Sequence, residues 1–141
     1  MDIYVVNNEK QQQDAFDVRY EVFVNEQNVP EEEEIDRYEE EAIHFVGYTN
    51  DRAIAASRMR LINSYAKLER ICILKDHRGN GYGKDLLLFM EETAKQKGAS
   101  TSKLHAQTQA EEFYQSLGYE KTSSDVFMDA GIPHVTMTKS L

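Results

Sequence analysis

Leu68-Glu69-Arg70-Ile71-Cys72-Ile73-Leu74 leads, through Lys75-Asp76, into His77-Arg78-Gly79-Asn80-Gly81-Tyr82-Gly83-Lys84. The first stretch reads as a strand, and its end is nearly continuous in apolar character, as a central strand would be. The second is a glycine-rich loop. Asp85 to Lys97 then reads as a helix with apolar Leu86, Leu87, Phe89, Met90 and Ala94. Gly98 stands where a left-handed helix terminator belongs.

Three phosphate-binding loops compete for this stretch. A Walker-type loop needs a glycine, four residues, then Gly-Lys-Ser/Thr. Gly83-Lys84 fits it, but Arg78 occupies the first glycine's place and Asp85 that of the magnesium-binding hydroxyl. A dinucleotide fingerprint needs G-x-G-x-x-G. Counting from Gly79 its third glycine would be Lys84, and from Gly81 it would be Leu86. The third pattern, Arg-x-x-Gly-x-Gly between a strand and a helix, is met by Arg78, Gly81 and Gly83. Glycines let the backbone approach an anion, and the amides of a helix start point at it. Arg78 and Lys84 add charge for a pyrophosphate. A glycine turn that merely connects the two elements is the plain alternative.

Working outward, Ile3 to Val6 reads as a strand, and Asn7 or Asn8 suits a helix cap. Phe16, Tyr20, Phe23 and Val24 share one helical face. Gln27-Asn28-Val29-Pro30 ends that helix, because the residue before proline avoids the helical region. Glu31 to Glu41 holds eight acids relieved only by Arg37, which predicts a hydrated surface segment. Ile43 to Tyr48 and Ala53 to Leu61 read as strands joined by a turn at Asn50-Asp51, with Arg58 and Arg60 sharing a face. After Gly98 come a strand at Lys103–Gln107 and a helix start at Thr108 with capping-box spacing to Glu111. Ala110, Phe113, Tyr114 and Leu117 give that helix its apolar stripe, and Gly118 ends it. Two final strands lie around Glu120–Met128 and His134–Thr138. The order predicts an α+β fold, one central mixed and mostly antiparallel sheet flanked by helices, in a single domain over 1–141.

Composition narrows the function. The length of 141 residues suits one domain, and 40% hydrophobic residues argue for a packed core. A net charge of −9 is a poor match for nucleic acid or a membrane surface and a better one for a cationic amine. Lys75, His77, Arg78 and Lys84 form a local cationic exception. Cys72 is the lone cysteine, and no basic start or long apolar run opens the chain. A cytoplasmic location is the expectation.

Taken together, Ile71-Cys72-Ile73 before Arg78-Gly79-Asn80-Gly81-Tyr82-Gly83, the long amphipathic helix, and Ala110 with Phe113-Tyr114-Gln115-Ser116-Leu117-Gly118-Tyr119 resemble the GNAT family of N-acetyltransferases. Arg19 to Pro30, His44-Phe45 and Gly131-Ile132-Pro133-His134 resemble its small bacterial ElaA-like or YjcF-like members. The resemblance covers essentially the whole chain. It implies acetyl-CoA as acyl donor, an amine acceptor that is a small molecule or a peptide, and no metal.

It also implies roles for residues. The pantetheine arm would lie along Ile71 to Ile73, where a backbone N–H polarises the thioester carbonyl. Preorganised amides of this kind contribute roughly 3 kcal/mol. Arg78, Gly79, Asn80, Gly81, Tyr82, Gly83 and Lys84 would hold the pyrophosphate, and Gln107 would contact the cofactor or substrate. Tyr114 is the general-acid candidate, since an ordinary tyrosine keeps its proton up to about pH 10. The base is open among Glu26, His44, His105, His134 and a water chain leading to a carboxylate, with Glu26 and His134 favoured by the subgroup resemblance. Cys72, inside a strand, reads as a packing residue rather than a nucleophile. The rival reading is a non-catalytic acyl-CoA sensor. The last strands offer a contact for a homodimer.

Overall fold

The computed structural model describes residues 1–141. Strand β1 (Asp2–Val5) leads to helix α1 (Glu9–Arg19), a π-helical segment at Tyr20–Glu26 and the short helix α2 (Glu31–Glu34). Strands β2 (Ile43–Thr49), β3 (Arg52–Ile62) and β4 (Tyr65–Ile73) follow as an antiparallel meander, with β1 on the outer edge of β2. Helix α3 (Tyr82–Gln96) crosses over to β5 (Thr101–Gln107), which therefore runs parallel to β4. Helix α4 (Glu111–Ser116) precedes β6 (Glu120–Lys121), β7 (Phe127–Asp129) and β8 (Ile132–Ser140). The sheet order is β1-β2-β3-β4-β5-β8-β6, with β7 also on β8, so the α+β fold and its mixed, mostly antiparallel sheet are as expected.

Neighbouring residues of a strand face opposite sides of a sheet. His44 meets the Phe16 ring of α1 at 5.7 Å, and Phe45 meets the Phe89 ring of α3 at 6.0 Å. The two long helices therefore cover opposite faces. Asn8 caps α1, its Oδ1 accepting from the Gln11 N–H at 2.8 Å. On the other face Leu86, Leu87, Met90 and Ala94 of α3 are buried against Ile54, Met59, Leu68 and Leu104 of the sheet.

Several boundaries differ from the sequence reading. The first helix changes to π geometry at Tyr20, and the chain leaves it at Asn28, whose φ is +60°. Asparagine tolerates this left-handed conformation better than most residues. The expected strand at Glu120–Met128 is broken into β6 and β7. Between them the Ser123 hydroxyl accepts from the Thr136 N–H at 3.0 Å, replacing a ladder bond. No side-chain cap forms at Thr108, because Thr108–Ala110 is a 3-10 turn and α4 starts at Glu111.

The acidic run is only partly a hydrated surface. Arg19, fully buried, donates to Glu34 Oε1 at 2.8 Å and to both oxygens of Glu39 at 2.8 and 2.9 Å. Arg58 forks onto Asp36 at 2.7 and 2.8 Å and also reaches Glu39 and Glu69. Three of the run's eight acids, Glu34, Asp36 and Glu39, thus fold back to neutralise arginines carried by α1 and β3, which the local charge pattern alone does not reveal.

This network gives the fold an acid limit. Burial alone would raise the Asp36 and Glu69 carboxyls, but bonds from Arg58 and from Arg60 respectively outweigh it and hold both at about 2. Carboxyls depressed on folding contribute stability above their unfolded pKa of about 4, and that contribution is lost as pH falls toward 2. Urea unfolding should show stability steady near neutrality and dropping by on the order of 2 kcal/mol per carboxyl between about pH 5 and pH 2. Stability unchanged to pH 3 would contradict the network's role.

Candidate active site

β4 and β5 pair only over Tyr65–Leu68 and Thr101–Leu104. Beyond Leu68 and Leu104 the two strands part, and a cleft of about 260 Å³ opens between them. Ligands in open α/β sheets enter at such points, outside the carboxyl ends of parallel strands. Glu69, Arg70 and Ile71 form one wall; His105, Gln107, Ala110 and Tyr114 form the other. Phe23, Gln27, Val29 and Glu34 close it from the α1 side, and Ile132 and His134 from β8.

The β4 wall carries a bulge. Ala56 pairs with Cys72 and Arg58 with Glu69, so Ser57 faces two residues, Arg70 and Ile71. Arg70 takes φ +57° to make this possible. The extra residue of a bulge leaves the ladder, so its backbone groups are free to turn toward a ligand. Such backbone strain costs on the order of 1 kcal/mol and is typical of functional sites.

The glycine loop follows where β4 ends. Gly81, at φ +81°, precedes the first turn of α3, a conformation that a side chain would strain. The first intrahelical bond runs from the Asp85 N–H to the Gly81 carbonyl, and no side chain caps the helix. The amides before Asp85 are therefore open to an anion. Tyr82, Gly83 and Lys84 lie inside the helix, which starts three residues earlier than its apolar pattern indicates.

Arg78 does not stand free. Its Nη1 and Nη2 donate to Glu26 at 2.6 Å each, and its Nε donates to the Ile73 carbonyl at 3.0 Å. Glu26 is accordingly placed away from the cleft, and the Arg78 bonds hold its carboxyl below the usual carboxylate range. Both Glu26 oxygens are occupied and its proton affinity is reduced, which speaks against Glu26 as the base. The pair instead fastens the π segment to the cofactor loop. Gln107 is on the cleft wall, where its amide donates to Gln27 Oε1 at 2.9 Å and its oxygen accepts from Gln109. Cys72 is buried, its thiol pushed up to about 12 by that burial and directed at the Ala56 carbonyl 3.6 Å away.

Tyr114 stands on the cleft wall with no hydrogen bond to its hydroxyl, and burial pushes that hydroxyl up to about 12. Its backbone is fixed by the stop at Gly118, φ +98°. The Gly118 N–H bonds to the Gln115 carbonyl and the Tyr119 N–H to the Tyr114 carbonyl, both at 3.1 Å. This is the Schellman pattern, and it explains why a glycine four residues after the tyrosine positions it.

Two of the four histidines line the cleft. His134 Nδ1 lies 2.7 Å from the Ile132 carbonyl, which can only accept, so Nδ1 carries the proton. In the neutral ring Nε2 then keeps its lone pair. Phe127 stacks on the ring at 5.9 Å. His105 is pushed down to about 4 by burial and by Lys67 and Lys103, so it is a weak proton acceptor. His44 lies outside the cleft, bonded to the Glu39 carbonyl at 2.7 Å.

A parallel pair that splays beside a bulged strand, with that strand leading into an uncapped glycine-led helix start, defines an acetyltransferase fold of the GNAT type. The chain belongs to that family: the acetyltransferase (GNAT) domain model matches residues 6–141. It is 50% identical to the uncharacterized N-acetyltransferase YjcF of Bacillus subtilis, over 99% of each chain. It superposes on a solved Lactobacillus plantarum protein with a TM-score of 0.92 at 29% identity, covering 99% of this chain and 97% of that one. Escherichia coli ElaA superposes at TM-score 0.85 and 25% identity, covering 98% and 97%. No helix is long and apolar enough to cross a membrane.

Proposed function

We propose that residues 1–141 act as one N-acetyltransferase domain that moves acetyl from acetyl-CoA to an amine by direct attack. The observation that carries this reading is the β4–β5 cleft, whose lining includes both Tyr114 and His134 and whose β4 wall leads on into the glycine loop. The pyrophosphate would be held by the open amides around Gly81 to Lys84, and the pantetheine arm along Ile71 to Ile73. Acetyl-CoA supplies an activated acyl thioester and departs as a thiol.

The chain's residues divide the remaining work. His134 Nε2 takes the proton that the amine must lose. A backbone amide at the Arg70–Ile71 bulge stabilises the negative charge that develops on the acyl oxygen. Tyr114 gives its proton to the departing sulfur. Cys72, with its buried and raised thiol, forms no acyl intermediate. Arg78 serves mainly to hold the π segment, so the loop amides and Lys84 carry most of the pyrophosphate binding.

Thiol release from acetyl-CoA in the presence of amines tests the reading and separates it from a module that only binds the cofactor. His134→Gln should lower kcat by about 100-fold, the usual scale of a lost general base, while acetyl-CoA affinity holds. An unchanged kcat would remove His134 from the role.

A further inference from the structure

The cleft holds one cation that the surrounding ion network leaves over. Five cations, Arg19, Arg58, Arg60, Lys67 and Arg70, meet four carboxylates, Glu34, Asp36, Glu39 and Glu69. Each carboxylate is already claimed at short range by a cation other than Arg70. Arg19 holds Glu34 Oε1 at 2.8 Å and both oxygens of Glu39. Arg58 holds both oxygens of Asp36, and Arg60 holds Glu69 at 2.9 and 3.2 Å.

Arg70 makes only long contacts. It reaches the Glu33 and Glu34 carbonyls at 3.3 Å, Asp36 at 3.4 Å and Glu34 Oε1 at 3.5 Å, and its Nη1 bonds to nothing. Charge-assisted bonds between a guanidinium and a carboxylate normally measure about 2.7–2.9 Å, in a two-pronged fork. The side chain is 22% exposed, and it lines the cleft from the left-handed bulge position. Across the cleft stands Asp129, whose carboxylate has no ion-pair partner and lies on the hairpin that carries His134. Lys67 and His105 also border the cleft, Lys67 paired to Glu69 at 3.1 Å. The cleft is therefore bipolar: Arg70 offers an under-paired guanidinium on one wall, Asp129 an unpaired carboxylate on the hairpin that carries His134, and Glu33, whose carboxylate also has no ion pair, lines the cleft as well.

We infer that the acceptor is a small amino acid-like zwitterion, with its carboxylate on the Arg70 guanidinium and its amine on the Asp129–His134 side. This rests on the acetyltransferase reading above and names the acceptor class for the same cleft. A simple polyamine would leave Arg70 unpaired and face it with like charge.

The test uses the full chain and pairs of acceptors that differ only in a carboxylate: each common amino acid against the amine formed by its decarboxylation. Thiol release gives kcat/KM for both members of each pair. In the unaltered protein at least one amino acid should exceed its amine by tenfold or more. In Arg70→Asn, chosen because asparagine tolerates φ +57°, that ratio should fall toward one. In Arg70→Lys, which keeps the charge without the fork, it should fall partway. Amines used as well as or better than their amino acids overturn the inference, and so does a ratio that survives Arg70→Asn. Should neither variant fold, the ratio in the unaltered protein decides alone. Should no pair turn over, calorimetry with N-acetylamino acids and N-acetylamines as products decides: the inference then requires that one of the carboxylated products bind, and binding by none overturns it. Acetyl-CoA titration of the same preparations reports separately on the cofactor reading, which can stand when the acceptor inference falls.

Discussion

Tyr114→Phe should lower kcat by about 100-fold or more, the scale of a lost general acid, while acetyl-CoA binds as before. The substitution removes one oxygen and leaves the ring that packs against Phe113 and Tyr119 at 5.1 and 5.9 Å. The hydroxyl bonds to no other protein group, so its loss leaves no buried partner stranded and the fold should be unaffected. What disappears is a proton held over the cleft at every physiological pH, since burial keeps this tyrosine protonated to about 12. A 100-fold loss corresponds to about 2.7 kcal/mol of barrier. Single-turnover rates measured with saturating acetyl-CoA check it. A variant as fast as the parent would mean that water protonates the sulfur and that Tyr114 is only part of the wall.

Arg19→Met should destabilise the protein by about 3–5 kcal/mol, because removing one partner leaves buried charge uncompensated. Arg19 is fully buried and Glu34 nearly so, and the guanidinium also bonds to the Glu34 carbonyl at 3.0 Å. Methionine fills much of the volume but returns none of these bonds. A domain of this size has only about 5–15 kcal/mol in total, so the urea midpoint should fall steeply. The double change Arg19→Met, Glu34→Gln should recover part of the loss by removing the stranded charge, since Glu39 keeps Arg58 at 2.9 Å. A midpoint lowered only slightly by Arg19→Met would mean that water reaches Glu34 and that the network is surface-like.

Much of the fold is legible in the sequence because its signals are local. The strand before Arg78, the Arg-x-x-Gly-x-Gly loop, the stripe of α3 and the glycine after Tyr114 are each read within a short window of their own. Each acts through its own backbone, so sequence spacing and spatial position agree. The features that escape are those where one residue changes partner. The π segment at Tyr20–Glu26 shifts helical phase without altering composition. The bulge at Arg70 appears only when β4 is laid beside β3. Glu26 and Arg78 are 52 positions apart, and nothing near either predicts their pairing.

The acidic run shows the same limit from the other side. Eight acids in eleven positions read as hydration, yet Glu34, Asp36 and Glu39 each meet an arginine from a distant element. Arg58 and Arg60, alternating along β3, were the available signal: cations on a strand that is otherwise buried require carboxylates from elsewhere. His134 was legible as a candidate, but the carbonyl that fixes its tautomer is seen only in the β7–β8 hairpin.

Calorimetric titration of the purified protein with acetyl-CoA, with ATP and NAD as controls, tests the central claim most directly. Saturable one-to-one binding of acetyl-CoA with no heat from either control is the predicted result. Folded protein that binds neither acetyl-CoA nor longer acyl-CoAs would contradict it, and the glycine loop would then be only a turn.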